Sequence, residues 1–424
     1  MCAEMGVVGQ LRQAECPECA AALVSDPRFV TWCPGCGWNV DPTPPPRMSR
    51  REQRAARASE RASRRLFEQM SEKGTVSSRG LRLRITVLSA AVHLLTLAVF
   101  AAGLYLVVDG FGMAPIVRFF IGGLLIGVGC VVQPFHRERA SGNKPLTRTE
   151  LPSLFALCDQ VAQTLGTGTI DSLWLSPVFN ASYGRSRRHG SAMTLGLALW
   201  AILEPQERVA LIGHELGHQL NGDQRRARPV RLAMVSLRNW AYLLKPGRSI
   251  YRTRGIAAVS EFLTLLVLLP LAATALGLRR LLAILAGRQG LSSEYYADEL
   301  SARVAGTAAA AALAEKLLVA DACSRFVQQT VKFEPATDPW EAVGKYARGI
   351  PQQEWERQRR LGRLRLPAID SSHPPSQLRA DLLRARAYQE PVIRLTPNQA
   401  EVLDRELARY GAGVAKRVRD GYLR

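Results

Sequence analysis

Three residues within five positions can hold and use a metal ion. The segment 211–223 reads LIGHELGHQLNGD and contains His214, Glu215 and His218. On a helix, residues four apart lie on one face, so the two imidazoles can converge on one zinc ion at about 2.0–2.1 Å. Glu215 lies beside them and can reach a water molecule there as general base, which is the chemistry of a zinc peptidase. The alternative is a helix with two histidines by chance, but the chain has only six histidines.

The third ligand of such a site must come from elsewhere, because a catalytic zinc takes three protein ligands and keeps one position for water. No histidine occurs between His218 and His373, which excludes the compact version with three histidines. Glu294 is the best carboxylate, and Asp298 lies four residues later on the same helical face. Glu294 can bind the zinc while Asp298 accepts a hydrogen bond from the other ring nitrogen of a ligand histidine. The competing interpretation is an acidic surface face of a helix.

A second metal site is predicted near the N-terminus. Cys16 and Cys19 form one CxxC pair, and Cys33 and Cys36 form another after a separation of thirteen residues. Two such pairs match a zinc ribbon with tetrahedral thiolate coordination, in which the metal supplies stability that so small a module lacks. A redox-active dithiol is the alternative, and two matched pairs favour zinc. The role of the ribbon stays open between binding a protein, controlling the enzyme and contacting nucleic acid.

Two apolar segments predict a membrane hairpin. Residues 85–108 are uncharged over 24 positions, and a transmembrane helix needs about 20. Residues 116–133 form a second span, and basic flanks lie before the first span and after the second, which places both ends in the cytoplasm. A third apolar run, 262–278, contains Pro270. We expect it to belong to a bent helical pair that dips into the membrane, the alternatives being packing without crossing or a second crossing at 232–244.

The charge of the chain is strongly positive, with 56 Lys and Arg against 36 Asp and Glu. Such an excess suits either nucleic acid or an anionic membrane surface. In the basic segment 47–84, Arg50, Arg54, Arg57 and Arg61 repeat at helical spacing. This stripe has no interleaved aromatic residues and adjoins a predicted span, which favours the lipid bilayer as its partner and argues against nucleic acid.

The pattern of residues 146–255 predicts a soluble α+β fold. An amphipathic helix is expected over 151–165, and strands are expected over 172–179 and 192–199, joined by a polar loop at 180–191. The helix that carries the two histidines should begin at Glu204–Pro205, because proline is well suited to the first turn of a helix. A further helix with an N-terminal cap is expected from Thr396.

The order of these motifs resembles the HtpX-type membrane metallopeptidases, relatives of the CAAX prenyl proteases. The resemblance covers roughly residues 85–390 and includes the paired spans. Its motifs are His214-Glu215-x-x-His218 with Asn221-Gly222-Asp223, then Glu294-x-x-x-Asp298, then Ser372-His373-Pro374-Pro375 with Arg379. It implies a gluzincin fold, an α+β catalytic domain that is mostly helical, with the zinc helix under a small sheet. The chain departs from the family pattern in its added zinc ribbon and in a short apolar insertion between the zinc motifs.

The resemblance also implies roles for residues outside the zinc helix. Asn180 and Ala181 match the strand edge that holds an extended peptide substrate. His373 matches the group that stabilises the oxyanion of the tetrahedral intermediate, and Arg379 matches a residue that supports the site. The alternatives are a turn residue before two prolines for His373 and a solvated helix face for Arg379.

These features predict five segments along the chain. They are a zinc ribbon at 1–46, a basic juxtamembrane helix at 47–84, a transmembrane hairpin at 85–133, a metallopeptidase domain at 134–390 and a C-terminal helical segment at 391–424. A membrane-associated insertion is expected inside the metallopeptidase domain at about 256–287.

The predicted function is a membrane-bound zinc endopeptidase with one catalytic and one structural zinc ion. The resemblance implies membrane or misfolded proteins as substrates, in quality control or processing. The predicted location is a bacterial cytoplasmic membrane, and the basic flanks of the hairpin predict that the active site and the N-terminus face the cytoplasm. The alternative is a membrane-anchored adapter whose zinc ribbon is the working part of an inert protease fold. The intact set of His214, Glu215, His218 and Glu294 argues against the adapter.

Overall fold

The computed structural model describes residues 12–43, 79–109, 114–133, 144–186, 189–245, 256–364 and 375–421, with separate short stretches between 49 and 70. The chain divides into two compact units. Unit 1 comprises residues 1–75, 143–221 and 293–424, and unit 2 comprises residues 76–142 and 222–292. The chain therefore leaves unit 1 directly after the histidine-bearing segment and returns to it directly before Glu294.

The described strands and helices are numbered in chain order. The strands are β1 Arg12–Glu15, β2 Ala22–Ser25, β3 Ser172–Ser176, β4 Ala181–Ser186 and β5 Gly190–Gly196. The helices before the middle of the chain are α1 Arg79–Val108, α2 Pro115–Val132, α3 Pro152–Leu165, α4 Leu197–Trp200, α5 Pro205–Asn221 and α6 Asp223–Leu243. The later helices are α7 Ile256–Ala305, α8 Thr307–Lys316, α9 Ala320–Phe333, α10 Pro339–Arg348, α11 Gln352–Leu364, α12 Ser376–Ala385 and α13 Pro397–Arg419.

Unit 1 contains a small sheet of strand order β3–β5–β4, parallel between β3 and β5 and antiparallel between β5 and β4. Alternate residues of β5, including Met193 and Leu195, are buried, as expected for a strand covered on one face. The predicted polar loop at 180–191 is wrong, because six of its residues form the edge strand β4. The predicted strand at 192–199 ends at Gly196, and the next four residues form the short helix α4.

The helical part of unit 1 is joined by specific capping contacts. The predicted cap at Thr396 is present, because its hydroxyl accepts from the Gln399 amide while the Gln399 side chain accepts from the Thr396 amide. Further along α13, the buried Glu406 carboxylate accepts hydrogen bonds from the amides of Ser153 and Leu154 at 2.9 and 3.2 Å. These amides have no partner inside α3, so α13 completes the N-terminus of that helix.

Unit 2 contains the predicted hairpin, whose helices α1 and α2 pack through glycines. A β-carbon at Gly103 would lie 2.8 Å from the Gly122 carbonyl oxygen, and one at Gly122 would lie 2.8 Å from the Gly103 carbonyl oxygen. Small residues at such crossings allow two membrane helices to approach closely. Leucines and phenylalanines on the outer faces, such as Leu94 and Phe120, are exposed. A lipid environment suits these faces.

Helix α6 also belongs to unit 2 and packs against α1. Ala233 and Leu237 of α6 are buried in one apolar cluster with Ile85 and Val92 of α1. The Trp240 indole nitrogen lies 3.4 Å from the buried Thr96 hydroxyl across the same contact. The apolar face of α6 thus has its partner within unit 2.

Helix α7 replaces the bent pair expected around Pro270. It runs over 50 residues without a break, about 75 Å at 1.5 Å per residue. The expected bend into a helical pair is therefore wrong, because one helix continues through Pro270. Among the residues that the structure describes, three helices are long and apolar enough to cross a membrane, namely Gly80–Val108, Pro115–Val132 and Leu266–Ala305.

Because α7 is continuous, it restricts how the chain can cross the membrane between α5 and Glu294. Since unit 1 contains both α5 and the end of α7, a crossing by α7 must be matched by a second crossing between residues 222 and 256. Single cysteines introduced at Leu220 and Arg288, both exposed, should then react with an impermeant maleimide from the same face of sealed vesicles. The parent chain measures the background from native cysteines, and opened vesicles give the total reactivity. Labelling of the two positions from opposite faces would contradict a site shared by the two helices.

Candidate active site

Helix α5 and the C-terminal part of α7 lie unusually close because small residues face each other. A β-carbon added at Gly213 would lie 3.3 Å from the Ser301 Cα, and one at Gly217 would lie 3.1 Å from the Ala297 Cα. The Ser301 hydroxyl donates to the Ala210 carbonyl oxygen at 2.7 Å and fixes the register. This close packing sets the position of the polar side chains on either side of it.

His214, His218 and Glu294 are brought together by this packing. Their potential ligand atoms all lie within 4.8 Å of one another. His214 Nε2 is 3.5 Å from one Glu294 oxygen, and His218 Nε2 is 3.5 Å from the other. Two ligands at 2.0–2.1 Å on a tetrahedral ion are about 3.3–3.4 Å apart, so the spacing and the donor types fit zinc. His214 and Glu294 are buried, and His218 is partly open.

Asp298 contacts the ring nitrogen of His214 that does not face Glu294, and Arg379 contacts both carboxylates. Asp298 Oδ1 lies 3.0 Å from His214 Nδ1. Arg379, on α12, donates through Nε and Nη2 to the two Asp298 oxygens at 2.8 and 2.6 Å, and its Nη1 lies 3.4 Å from Glu294. Asp298 and Arg379 are both buried. A carboxylate behind a metal-binding histidine fixes its tautomer, and a two-pronged arginine fixes the carboxylate.

The electrostatics of the pocket favour a bound cation. Burial and the Arg379 charge oppose protonation of His214, but hydrogen bonds to Asp298 and Glu294 outweigh them and raise the pKa of His214 to about 10. Burial alone would lower the pKa of the Arg379 guanidinium. The neighbouring Asp298 and Glu294 carboxylates have the larger effect and raise that pKa. The carboxylates that attract a proton to His214 equally attract a metal ion, which must displace that proton to bind.

The other predicted site residues lie on α5, at the edge strand β4 or outside the described part of the chain. Glu215 is buried on α5 between the two histidines in sequence. Asn180 is exposed and directly precedes β4, and Ala181 is the buried first residue of that edge strand, which contacts α5. His373 lies outside the described residues. The site therefore combines Arg379 with both zinc motifs, while the role of His373 stays a prediction.

A second cluster of ligand atoms lies in residues 12–43, here named the cysteine module. The thiols of Cys16, Cys19, Cys33 and Cys36 lie within 4.8 Å of one another around the hairpin β1–β2. The Cys16–Cys36 and Cys19–Cys33 sulfur distances are both 3.6 Å. Zinc–sulfur bonds of about 2.3 Å on a tetrahedral ion place sulfurs about 3.8 Å apart, so four thiolates fit zinc here too. A hydrogen bond from the Cys36 amide lowers the pKa of Cys33 to about 7, whereas the neighbouring thiols raise the pKa of Cys19 and of Cys36, so a bound metal must displace protons from the cluster.

Two imidazoles and a buried carboxylate contributed by two packed helices, with a general-base candidate between the imidazoles, define the metallopeptidase class. Residues 160–387, more than half of the chain, match the family model of peptidase family M48. The chain therefore belongs to peptidase family M48, a family of metallopeptidases that are usually membrane-associated. No curated protein and no solved structure matches the chain.

Sequence reasoning missed the residues that bring the two zinc motifs together. Small residues four positions apart could have indicated this close helix contact. They are Gly213 and Gly217 on α5, and Ala297 and Ser301 on α7. It also missed a hydrogen bond from the Asn221 amide to the Ser293 hydroxyl, at the positions where the chain leaves and re-enters unit 1.

Proposed function

We propose that the chain is a membrane-embedded zinc endopeptidase of the HtpX type, with a gluzincin catalytic unit and a second, structural zinc in the cysteine module. The convergence of His214, His218 and Glu294 within 4.8 Å carries this proposal, in a chain of family M48. The Asp298–Arg379 pair behind His214 supports it, because a chance cluster has no need of an orienting carboxylate.

Charge balance supports a divalent ion in this pocket. Glu215, Glu294 and Asp298 are buried carboxyl groups, and Arg379 is the buried cation that contacts two of them. When both histidines are neutral, as zinc ligands must be, three ionised carboxylates and Arg379 sum to a charge of about minus two, which a buried site does not tolerate uncompensated. A zinc ion held by His214, His218 and Glu294 would neutralise it.

Each residue has a separate task in the proposed reaction. Zinc, when bound, supplies a Lewis acid that activates water and polarises the scissile carbonyl. Glu215 takes the proton from the attacking water and returns it to the leaving amine. Asp298 accepts the Nδ1 proton of His214, which turns Nε2 towards Glu294, and Arg379 keeps Asp298 in place. His373 is proposed to stabilise the oxyanion.

The edge strand β4 is the proposed binding surface for the substrate. It contacts α5 and is paired on one side by β5, so an extended peptide can add to its other edge beginning near Asn180 and Ala181. Main-chain pairing of this kind accepts many sequences, since side chains alternate away from the shared hydrogen bonds. Membrane or misfolded proteins, which offer extended segments, are the proposed substrates, and the proposed cellular roles are quality control and processing in a cytoplasmic membrane.

Metal removal and metal counting test this function. The purified full chain in detergent should carry one zinc at the cysteines and one at the histidines, and should digest casein. His214→Ala should lose the second zinc and all cleavage, because it removes a ligand. His189→Ala, which changes a histidine outside the cluster, should keep both. Zinc is measured by mass spectrometry of the metal and cleavage by released peptides.

The same experiment separates the peptidase from the adapter. A chain that binds zinc at the cysteines alone and never cleaves casein, with or without added zinc, would favour the inert adapter. Restoration of cleavage after a chelator has been removed and zinc added back supports the peptidase.

A further inference from the structure

Within unit 1, two arginines of α11 hold the cysteine module, the buried Arg357 and the partly exposed Arg360. Arg357 donates through Nη1 to the Val40 carbonyl oxygen at 2.9 Å, and Arg360 donates to the Pro34 carbonyl oxygen at 2.7 Å. Arg357 is buried and is itself held by two hydrogen bonds of 2.7 Å to the buried Glu354. A buried ion pair of this geometry is a fixed feature of the interface and differs from a solvated surface contact.

Aromatic contacts widen this interface. The Arg360 guanidinium carbon lies 5.1 Å from the centre of the Trp32 ring, and Trp32 is only 2% exposed. Phe29 packs against the main core, with its ring centre 6.3 Å from that of Tyr346 on α10. Arg28 donates to the Gly349 carbonyl oxygen at 3.2 Å. The module therefore contacts α10, α11 and the residue that follows α10.

The two groups that Arg360 contacts lie inside and next to the second cysteine pair. Pro34 is between Cys33 and Cys36, and Trp32 directly precedes Cys33. A metal held by the thiols sets the path of this knuckle, and hence the position of the Pro34 carbonyl that Arg360 binds. Loss of the metal would change the surface that α11 contacts.

Helix α11 in turn is joined to α12, which carries Arg379. Arg363 of α11 donates twice to Asp381 of α12, with both distances 3.0 Å. A β-carbon at Gly362 would lie 3.0 Å from the Gln377 Cβ, so the two helices are in close contact. Glu315 of α8 binds arginines of both helices, Arg359 at 3.1 Å and Arg384 at 2.7 Å. Arg379 is thus on a helix that α11 helps to position.

We infer that the cysteine module is a metal-dependent brace of the active site: its bound zinc holds α11, and α11 holds α12 and the Arg379–Asp298 pair in the position that orients His214. The module acts within the chain and needs no external partner for this role. Its effect on the peptidase site rests on the proposed function, while its effect on α11 and α12 does not. Arg360 is the proposed positioning residue at the module surface.

Hydrogen–deuterium exchange on the full-length chain in detergent tests the brace. Cys16→Ser with Cys33→Ser should lose one zinc, and amides of α11 and α12 should exchange at least about tenfold faster, the change that about 1.4 kcal/mol of lost local stability produces. The amides of α3, which packs against α5 and α13, should keep their protection and report that unit 1 is still folded. The remaining zinc should dissociate about 10- to 100-fold more readily, as expected when the support of a metal ligand is loosened.

Arg360→Gln tests the contact between the cysteine module and α11 without removing the metal. It removes the bond to Pro34 and the stacking on Trp32 while leaving all four cysteines, so both zinc ions should stay while α11 exchanges faster. The matched control is Arg394→Gln, at a highly exposed arginine that pairs with Glu390, and it should change nothing. Unchanged exchange of α11 and α12 after loss of the module zinc would overturn the brace. Altered exchange in a chain that never cleaves casein would keep the brace and overturn the peptidase instead.

Discussion

Glu215→Gln is expected to abolish peptide cleavage while leaving zinc bound at His214, His218 and Glu294. Glutamine keeps the size and the hydrogen-bonding capacity of the side chain but cannot accept a proton from water. Loss of a general base typically lowers a rate by about 10²- to 10⁴-fold, and here the same group also returns the proton to the leaving amine. Activity is measured as casein cleavage, and zinc is measured in the same sample.

The matched control for this substitution is Glu204→Gln, at an exposed glutamate directly before α5. It makes the same chemical change at the start of the same helix and should leave the rate unchanged. The zinc count decides how a loss of activity is interpreted. If Glu215→Gln lost the metal together with activity, Glu215 would be needed for the integrity of the site, and the base would have to be sought elsewhere.

The sequence predicts the parts of the site that depend on local spacing. The interval between His214 and His218 places both on one face of α5, and the interval between Glu294 and Asp298 does the same on α7. The apolar length of α1 and α2 and the cap at Thr396 are local properties too, and the structure shows all of them. Periodicity and capping act over a few residues, so they can be recognised without knowledge of the fold.

Features that depend on distant partners were harder to predict. Strand β4 carries Ser182, Gly184 and Arg185 in a polar stretch, and it is a strand because β5 offers it six paired positions. Strand formation at an edge depends on the neighbouring strand more than on intrinsic preference. Helix α7 continues through Pro270, and residues after the proline, such as Ala275 and Leu282, pack in an apolar cluster within unit 2.

The contacts of Arg379 and of the cysteine module also join residues that are far apart in the sequence. Arg379 meets Asp298 across 81 positions of the chain, and Arg357 meets Val40 across 317. Arginines are abundant in this sequence, and only the resemblance to the HtpX motif singled out Arg379, while nothing local distinguishes Arg357 from the arginines on the surface. Only burial separates them, since both side chains are almost fully enclosed and both carry bidentate carboxylate contacts.

Arg379→Met should destabilise the metal-free protein strongly. The substitution leaves Asp298 and Glu294 buried without the cation that contacts both, and removal of one partner from a buried pair costs about 3–5 kcal/mol. Arg379→Lys should fall between the parent and methionine, because lysine restores the charge but not the two parallel hydrogen bonds to Asp298. Arg409→Met, at an exposed arginine of α13, is the matched control and should unfold like the parent. Stability is measured by heating each variant and recording the hydrogen exchange of the α5 amides, which reports the unfolding of unit 1.

A double substitution tests whether the destabilisation by Arg379→Met comes from the Asp298 carboxylate that it leaves buried without a cation. Asp298→Asn removes the charge that Arg379 neutralises, so Arg379→Met with Asp298→Asn should be less destabilised than the sum of the single changes, by about 0.5–3 kcal/mol of coupling. Zinc should also reduce the cost of Arg379→Met, because a divalent cation beside Glu294 replaces part of the lost positive charge. Additive effects of the two substitutions, with no rescue by zinc, would show that Arg379 acts by packing alone and that its contact with Asp298 does not orient His214.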